Sequence, residues 1–162
     1  MPTTSANGLE IYYEQYGDPS GKPLLLICGL GAHVTSWPKG FLDSLVAAGF
    51  FVTSHDNRDV GLSTHLDHHG EPDAGAILFG EKEPPYRIAD FAADSAALLR
   101  ALGLGPVHVV GVSMGGMIAQ QFAIDYPELT LTLTSIMSTP APMEVGQPTA
   151  EASAMLTRPR SE

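Results

Sequence analysis

The run "VVGVSMGGMIAQQ", Val109 to Gln121, limits the possible folds more than any other stretch of this chain. β-prone residues "VHVV" lead into a glycine, a serine follows between two glycines, and helix formers take over. Gly111-Val112-Ser113-Met114-Gly115 has the spacing G-x-S-x-G. The spacing has a mechanical reason. A serine placed where a strand turns sharply into a helix takes a strained backbone conformation, and side chains at the flanking positions would collide with the strand and helix. The strain pushes the serine oxygen out at the carboxyl end of the strand. The helix start behind it offers free N–H groups and a partial positive charge. A P-loop lysine and G-x-G-x-x-G spacing are both missing here, which disfavours a phosphate or dinucleotide cradle.

The rest of the chain supplies the setting such a turn needs. Asn7-Gly8 between extended stretches predicts a hairpin with a type I′ turn. "PLLLIC", Pro23 to Cys28, is a short unbroken apolar run, as in a parallel strand covered on both faces. "PKGFLDSLVAAG" predicts a helix with Phe41, Leu42, Leu45 and Val46 on one face and Gly49 as its stop. "FFVTSHD" follows as a strand, and residues 57–86 as a long irregular stretch. Ile88 to Leu102 predicts a helix with Phe91, Leu98, Leu99 and Leu102 as its stripe. After the serine turn come a helix ended by Pro127 and the strand "LTLTLTSIM", residues 129–137. A hairpin followed by alternating strands and helices implies an α/β fold with a doubly wound, mostly parallel sheet. Residues 1–137 read as its core. From Ser138 to Glu162 the composition turns to Pro, Ser, Thr and Ala, as in an irregular tail or the start of a cap.

Charge and cysteine usage narrow the function classes. The net charge of −10 and eight scattered basic residues disfavour nucleic acid, whose phosphates call for clustered Lys and Arg. No apolar run is long enough for a bilayer span, and the N-terminus lacks the basic and apolar regions of a signal peptide. The single Cys28 excludes an internal disulfide and fits a reducing compartment or, equally, a disulfide-free secreted protein. The expected setting is cytoplasmic, with no membrane partner.

"LLLICGLG" with Trp37 beyond it, "SHDNRDVGLS" and "HVVGVSMGG" together resemble the first half of an α/β-hydrolase. The form D-x-R-D-x-G-x-S, Asp56 to Ser63, is similar to the branch typified by aclacinomycin methylesterase. Two departures stand out: Asp59 where most relatives have glycine, and Cys28-Gly29 where His-Gly is common. The resemblance covers residues 5–140. It implies Ser113 as nucleophile and the backbone N–H groups of Leu30 and Met114 as the oxyanion hole. Gly29, Gly31, His33, Trp37, Gly111 and Gly115 would line or support the pocket. Asp56, Arg58 and Asp59 would hold loops together. No metal and no cofactor is implied.

The resemblance also implies a triad in the order Ser, then Asp or Glu, then His. All six histidines, His33, His55, His65, His68, His69 and His108, precede Ser113. The later acids Asp125 and Glu128 close a helix, and Glu144, Glu151 and Glu162 fall in the tail. "HLDHH" invites a zinc reading, but loop imidazoles without supporting partners are ordinarily solvated. The expectation is an amino-terminal portion of a serine ester hydrolase, ending before the cap and the last two strands, with a small-molecule ester as substrate and self-association through the exposed strand 129–137. A non-catalytic binding module is the alternative. A carbon–carbon hydrolase or cofactor-free haloperoxidase is the enzymatic one, since "SMGG" resembles those equally well.

Overall fold

Asn7 and Gly8 adopt φ angles of 52° and 78°, the left-handed pair that a type I′ turn requires. They join β1 (Thr3–Ala6) to β2 (Leu9–Tyr16), antiparallel, with Ala6 opposite Leu9. The computed structural model describes residues 2–70, 82–140 and 149–151. Residues 71–81 of the irregular stretch, and 141–148 and 152–162 of the expected tail with Glu144 and Glu162, lie outside them.

The remaining elements are β3 (Lys22–Ile27), α1 (Lys39–Ala47), β4 (Phe50–His55), α2 (Ile88–Ala101), β5 (Val107–Val112), α3 (Met114–Asp125) and β6 (Thr130–Ile136). They form one sheet in the order β1-β2-β4-β3-β5-β6. The four strands from β4 to β6 are parallel, and β2 joins β4 antiparallel.

β3 shows why the apolar run had to be central. Leu25 and Ile27 pack with Val109 of β5, Ala96 and Leu99 of α2, and Ile118 and Phe122 of α3. Leu24 and Leu26, pointing the other way, pack with Val52 of β4 and Leu42 of α1. The sheet is therefore wound with helices on both faces, as the sequence implied. Each fully buried leucine contributes roughly 1.5–3 kcal/mol of transfer free energy. The hairpin closes one side through Ala6 and Ile11, which pack on Leu98 of α2.

Two elements differ from expectation. Only Leu42 of the expected α1 face is buried. Trp37, just before the helix, fills the space over the sheet, and Phe41 stacks outside it at 5.6 Å between ring centres. At the far edge, Leu129 closes a one-turn 3-10 helix, so β6 starts at Thr130. β6 is the edge strand, and its residues beyond Thr130 are all exposed.

Candidate active site

Ser113 is the single residue between β5 and α3, with φ 57° and ψ −124°. That left-handed conformation is costly for a residue with a side chain and is held by its surroundings. The Ser113 N–H donates to the Ile136 carbonyl at 2.9 Å, and the Ser113 carbonyl accepts the Gly116 N–H at 2.9 Å. The flanking glycines leave no room for anything larger. A β-carbon on Gly111 would lie 2.0 Å from the Gly115 oxygen, and one on Gly115 would lie 2.2 Å from the Ile27 oxygen. The elbow thus wedges against the end of β3, and Ser113 stands exposed at the carboxyl ends of the strands.

The loop after β3 runs past this serine. A β-carbon on Gly29 would come 3.7 Å from Ser113 Oγ. Gly29 starts a turn in which its carbonyl accepts the Ala32 N–H at 3.2 Å, with Gly31 at φ 65°. Leu30, at the tip, is 81% exposed, and its N–H has no acceptor among the described residues. Met114 opens α3, where a helix leaves its first N–H groups without intrahelical partners. His33 is exposed, with Nδ1 2.7 Å from Thr35 Oγ1. Trp37 lies under the loop, packed on the sheet, and its Nε1–H donates to Ser54 Oγ at 3.0 Å. Burial pushes the Cys28 thiol up to about 11, so it is neutral near pH 7 and no rival nucleophile.

The turn after β4 binds these parts together. One oxygen of the buried Asp56 carboxylate accepts the Val34 N–H at 2.8 Å, and the other accepts the Leu62 N–H at 2.9 Å. Asn57 Nδ2 donates to the Cys28 carbonyl at 3.0 Å. The Arg58 guanidinium makes two bonds to the buried Asp94 of α2, at 2.7 and 2.8 Å. Asp94 also accepts from Asn7 Nδ2 at 2.8 Å. Asp59 explains its own departure from glycine. It keeps the left-handed φ, 62°, while its carboxylate accepts the Leu66 N–H and a hydrogen bond from Tyr86. That bond and, above all, burial push the Tyr86 phenol up to about 12. The sequence marked Asp56, Arg58 and Asp59 as loop-holding residues. It gave no sign of Asn57 or Asp94, whose partners lie far along the chain.

The pattern that defines the alpha/beta hydrolase fold matches residues 22–156. The chain belongs to that family. Its curated relatives include rhodomycin D methylesterases of Streptomyces peucetius and Streptomyces sp. (strain C5), at 39% and 37% identity. Each match covers 85% of this chain and 42% of the relative, so the chain spans about two fifths of their length. A putative non-heme bromoperoxidase of Mycobacterium tuberculosis is 30% identical over 75% of this chain and 39% of its own. Among solved structures, the enol-lactonase from Burkholderia xenovorans LB400 has a TM-score of 0.70 at 21% identity, covering 85% of this chain and 47% of that one. A hydrolase from Pseudomonas aeruginosa PA01 has a TM-score of 0.71 at 22% identity, covering 97% and 53%. At those identities the likeness shows the fold.

Set in this family, the remaining candidates fall away from the elbow. His108 is the second residue of β5, bonded through Nδ1 to Thr132 Oγ1 at 2.8 Å. His55 is buried at the end of β4 against Ser95 of α2, and burial lowers its pKa to about 4. His65 bonds the Gly61 carbonyl, and His68 and His69 are exposed neighbours. Among the described residues, no three His, Cys, Asp or Glu side chains gather as metal ligands. Glu128 pairs with Arg100 across the surface at 3.0 Å. Two cavities, of about 490 and 190 Å³, lie elsewhere. The larger is lined by Asp59, His65, His69 and Tyr86, the smaller by Ile88, Met117, Gln120 and Ile124. Among the described residues, no helix is long and apolar enough to cross a membrane.

Proposed function

We propose that this chain carries the nucleophile and oxyanion portion of a serine hydrolase that cleaves a carboxylic ester. Ser113 Oγ attacks the ester carbonyl, and its proton passes to a general base. The N–H groups of Leu30 and Met114 take the negative charge that gathers on the carbonyl oxygen. The tetrahedral intermediate collapses, the alcohol leaves with a proton, and water releases the acid from the acyl-serine. No cofactor is needed. The observation that carries the reading is the left-handed Ser113 wedged between Gly111 and Gly115, with the Gly29 loop against it. The rhodomycin D methylesterases favour a methyl ester as the substrate class. Because every histidine in these 162 residues precedes Ser113, the reading assigns the base and its carboxylate partner to residues outside them.

Non-heme haloperoxidase activity is the second reading, favoured by the 30% identity to the putative bromoperoxidase. The test is methanol release from methyl esters and halide oxidation, with the 162-residue chain and with the longest product of its reading frame. Each is run beside its Ser113→Ala variant. Methanol release that disappears in the alanine variant supports the ester reading. Methanol release that persists in it, or halide oxidation alone, overturns it.

A further inference from the structure

The loop between Cys28 and Val34 is gripped at both ends by consecutive residues. Asp56 takes the Val34 N–H, and Asn57 donates to the Cys28 carbonyl. Between those grips His33 is tied to Ser36, its N–H donating to Ser36 Oγ and its carbonyl accepting the Ser36 N–H. The loop's internal hydrogen bond is the Ala32 N–H to the Gly29 carbonyl, and Leu30 projects into solvent. The Cys28 carbonyl is also one of the two against which the elbow helix rests: a β-carbon on Gly115 would come 2.2 Å from the Ile27 oxygen and 2.6 Å from that of Cys28. Asn57 therefore holds the very peptide at which loop and elbow meet, one residue before Gly29 passes Ser113.

A second observation sets Asn57 apart from an ordinary structural peg. It is 2% exposed, yet its Oδ1 has no hydrogen-bond partner among the described residues. A buried acceptor left unpaired lowers stability. The carboxamide thus leaves one of its own atoms unpaired while its donor satisfies the buried Cys28 carbonyl. Its donor is what the site uses.

We propose that Asn57 is a positioning residue for the oxyanion loop. Its N–H fixes the Cys28 carbonyl against the elbow helix and so sets where the Leu30 N–H stands relative to Ser113. This rests on the reading of Leu30 as an oxyanion donor. Asn57 touches no reacting atom and acts through the loop.

The experiment is ¹⁵N relaxation on the 162-residue chain with Asn57→Leu and Asn57→Asp. Leucine has a similar shape and no donor, and the ionised aspartate presents only acceptors to the Cys28 carbonyl. In both variants the order parameters of Gly29 and Leu30 fall from the rigid range, about 0.85, to below about 0.6, while Met114 is unchanged. The melting temperature of Asn57→Leu falls only modestly, because the unpaired Oδ1 is removed as the Cys28 carbonyl loses its donor, and one buried acceptor stays unpaired in either protein. Unchanged order at Gly29 and Leu30 overturns the proposal. So does loss of order spread evenly through β3, β4 and β5, or a fold that survives in neither variant, since each makes Asn57 a core residue only. Where the longer product hydrolyses esters, kcat falls about tenfold or more with KM little changed. The relaxation result does not depend on turnover. An inactive wild-type enzyme would therefore sink the ester reading and leave the loop measurement standing.

Discussion

Gly29 and Ser113 lie side by side just beyond the ends of the paired strands β3 and β5: a β-carbon on Gly29 would stand 3.2 Å from Ser113 Cβ and 3.0 Å from the Val112 oxygen. Those distances are tight but short of impossible. Gly29→Ala should cost on the order of 1 kcal/mol and push the loop away from the serine. Gly111→Ala and Gly115→Ala meet backbone atoms at 2.0 and 2.2 Å, which no rotamer relieves. Each should cost at least about 3 kcal/mol. Urea unfolding of the three variants gives the ranking. An elbow alanine as stable as the wild type would mean that the turn is built differently.

Acid should weaken the fold through His55 before the carboxylates matter. Burial holds its pKa at about 4 in the fold, against 6.5 when free. The unfolded chain therefore binds a proton between those values that the folded chain refuses. Stability from this group is complete above pH 6.5 and is lost as the pH falls towards 4, by about 3 kcal/mol in all. Glu14, whose carboxylate accepts from the Tyr12 and Tyr16 hydroxyls, has its pKa lowered by those bonds. Its share is lost in a more acid window, below the ordinary glutamate range. Urea midpoints at pH 7 and 4.5 should differ clearly in the wild type and much less in His55→Phe. Equal pH dependence in both proteins would clear His55.

Among the described residues, β6 offers an unpaired edge of seven uncharged residues, with Leu131, Leu133 and Ile136 exposed. Such an edge pairs with another like it unless something blocks it. Light scattering of the 162-residue chain should show dimers or larger species growing with concentration. Leu133→Lys should return it to a monomer. A wild type that stays monodisperse and monomeric at high concentration would refute the edge as a docking strand.

The 162-residue chain itself should hydrolyse activated aryl esters poorly. Without its base a serine is a weak nucleophile near pH 7, and the oxyanion hole with binding leaves about 10³–10⁴ over water in the best case. His33 is the upstream histidine on the loop beside the serine, and it is exposed. Rates well above background that vanish in both Ser113→Ala and His33→Ala would reveal a working base within these residues and reverse this expectation.

What was legible in the sequence was what neighbours along the chain decide. Asn7-Gly8 specified its turn, "PLLLIC" its central strand, and G-x-S-x-G its elbow, because each is set by backbone geometry over a few residues. The frame behind the elbow was not. Asn57 meets Cys28 across 29 positions, and Arg58 meets Asp94 across 36. Neither period nor propensity carries such pairings. They appear only when the crossovers bring strand ends together. Asp59 was legible by half: its presence in place of glycine was plain, while its tie to Leu66 and Tyr86 was not. The α1 face was misjudged because Trp37, outside the helix, took the room that periodicity had assigned to Phe41.

The bond from Asn7 to Asp94 spans 87 positions and fastens the tip of the hairpin to α2. On a ribosome adding about 5–20 residues per second, the hairpin waits roughly 4–17 s for the residue that secures it. An isolated hairpin is marginal in water, so β1 and β2 spend that interval with β4 as their one neighbouring strand and without the helix they pack on. The emerging chain is thus open to wrong pairings at this hairpin, and slowing synthesis between Asn7 and Asp94 would lengthen that exposure rather than relieve it.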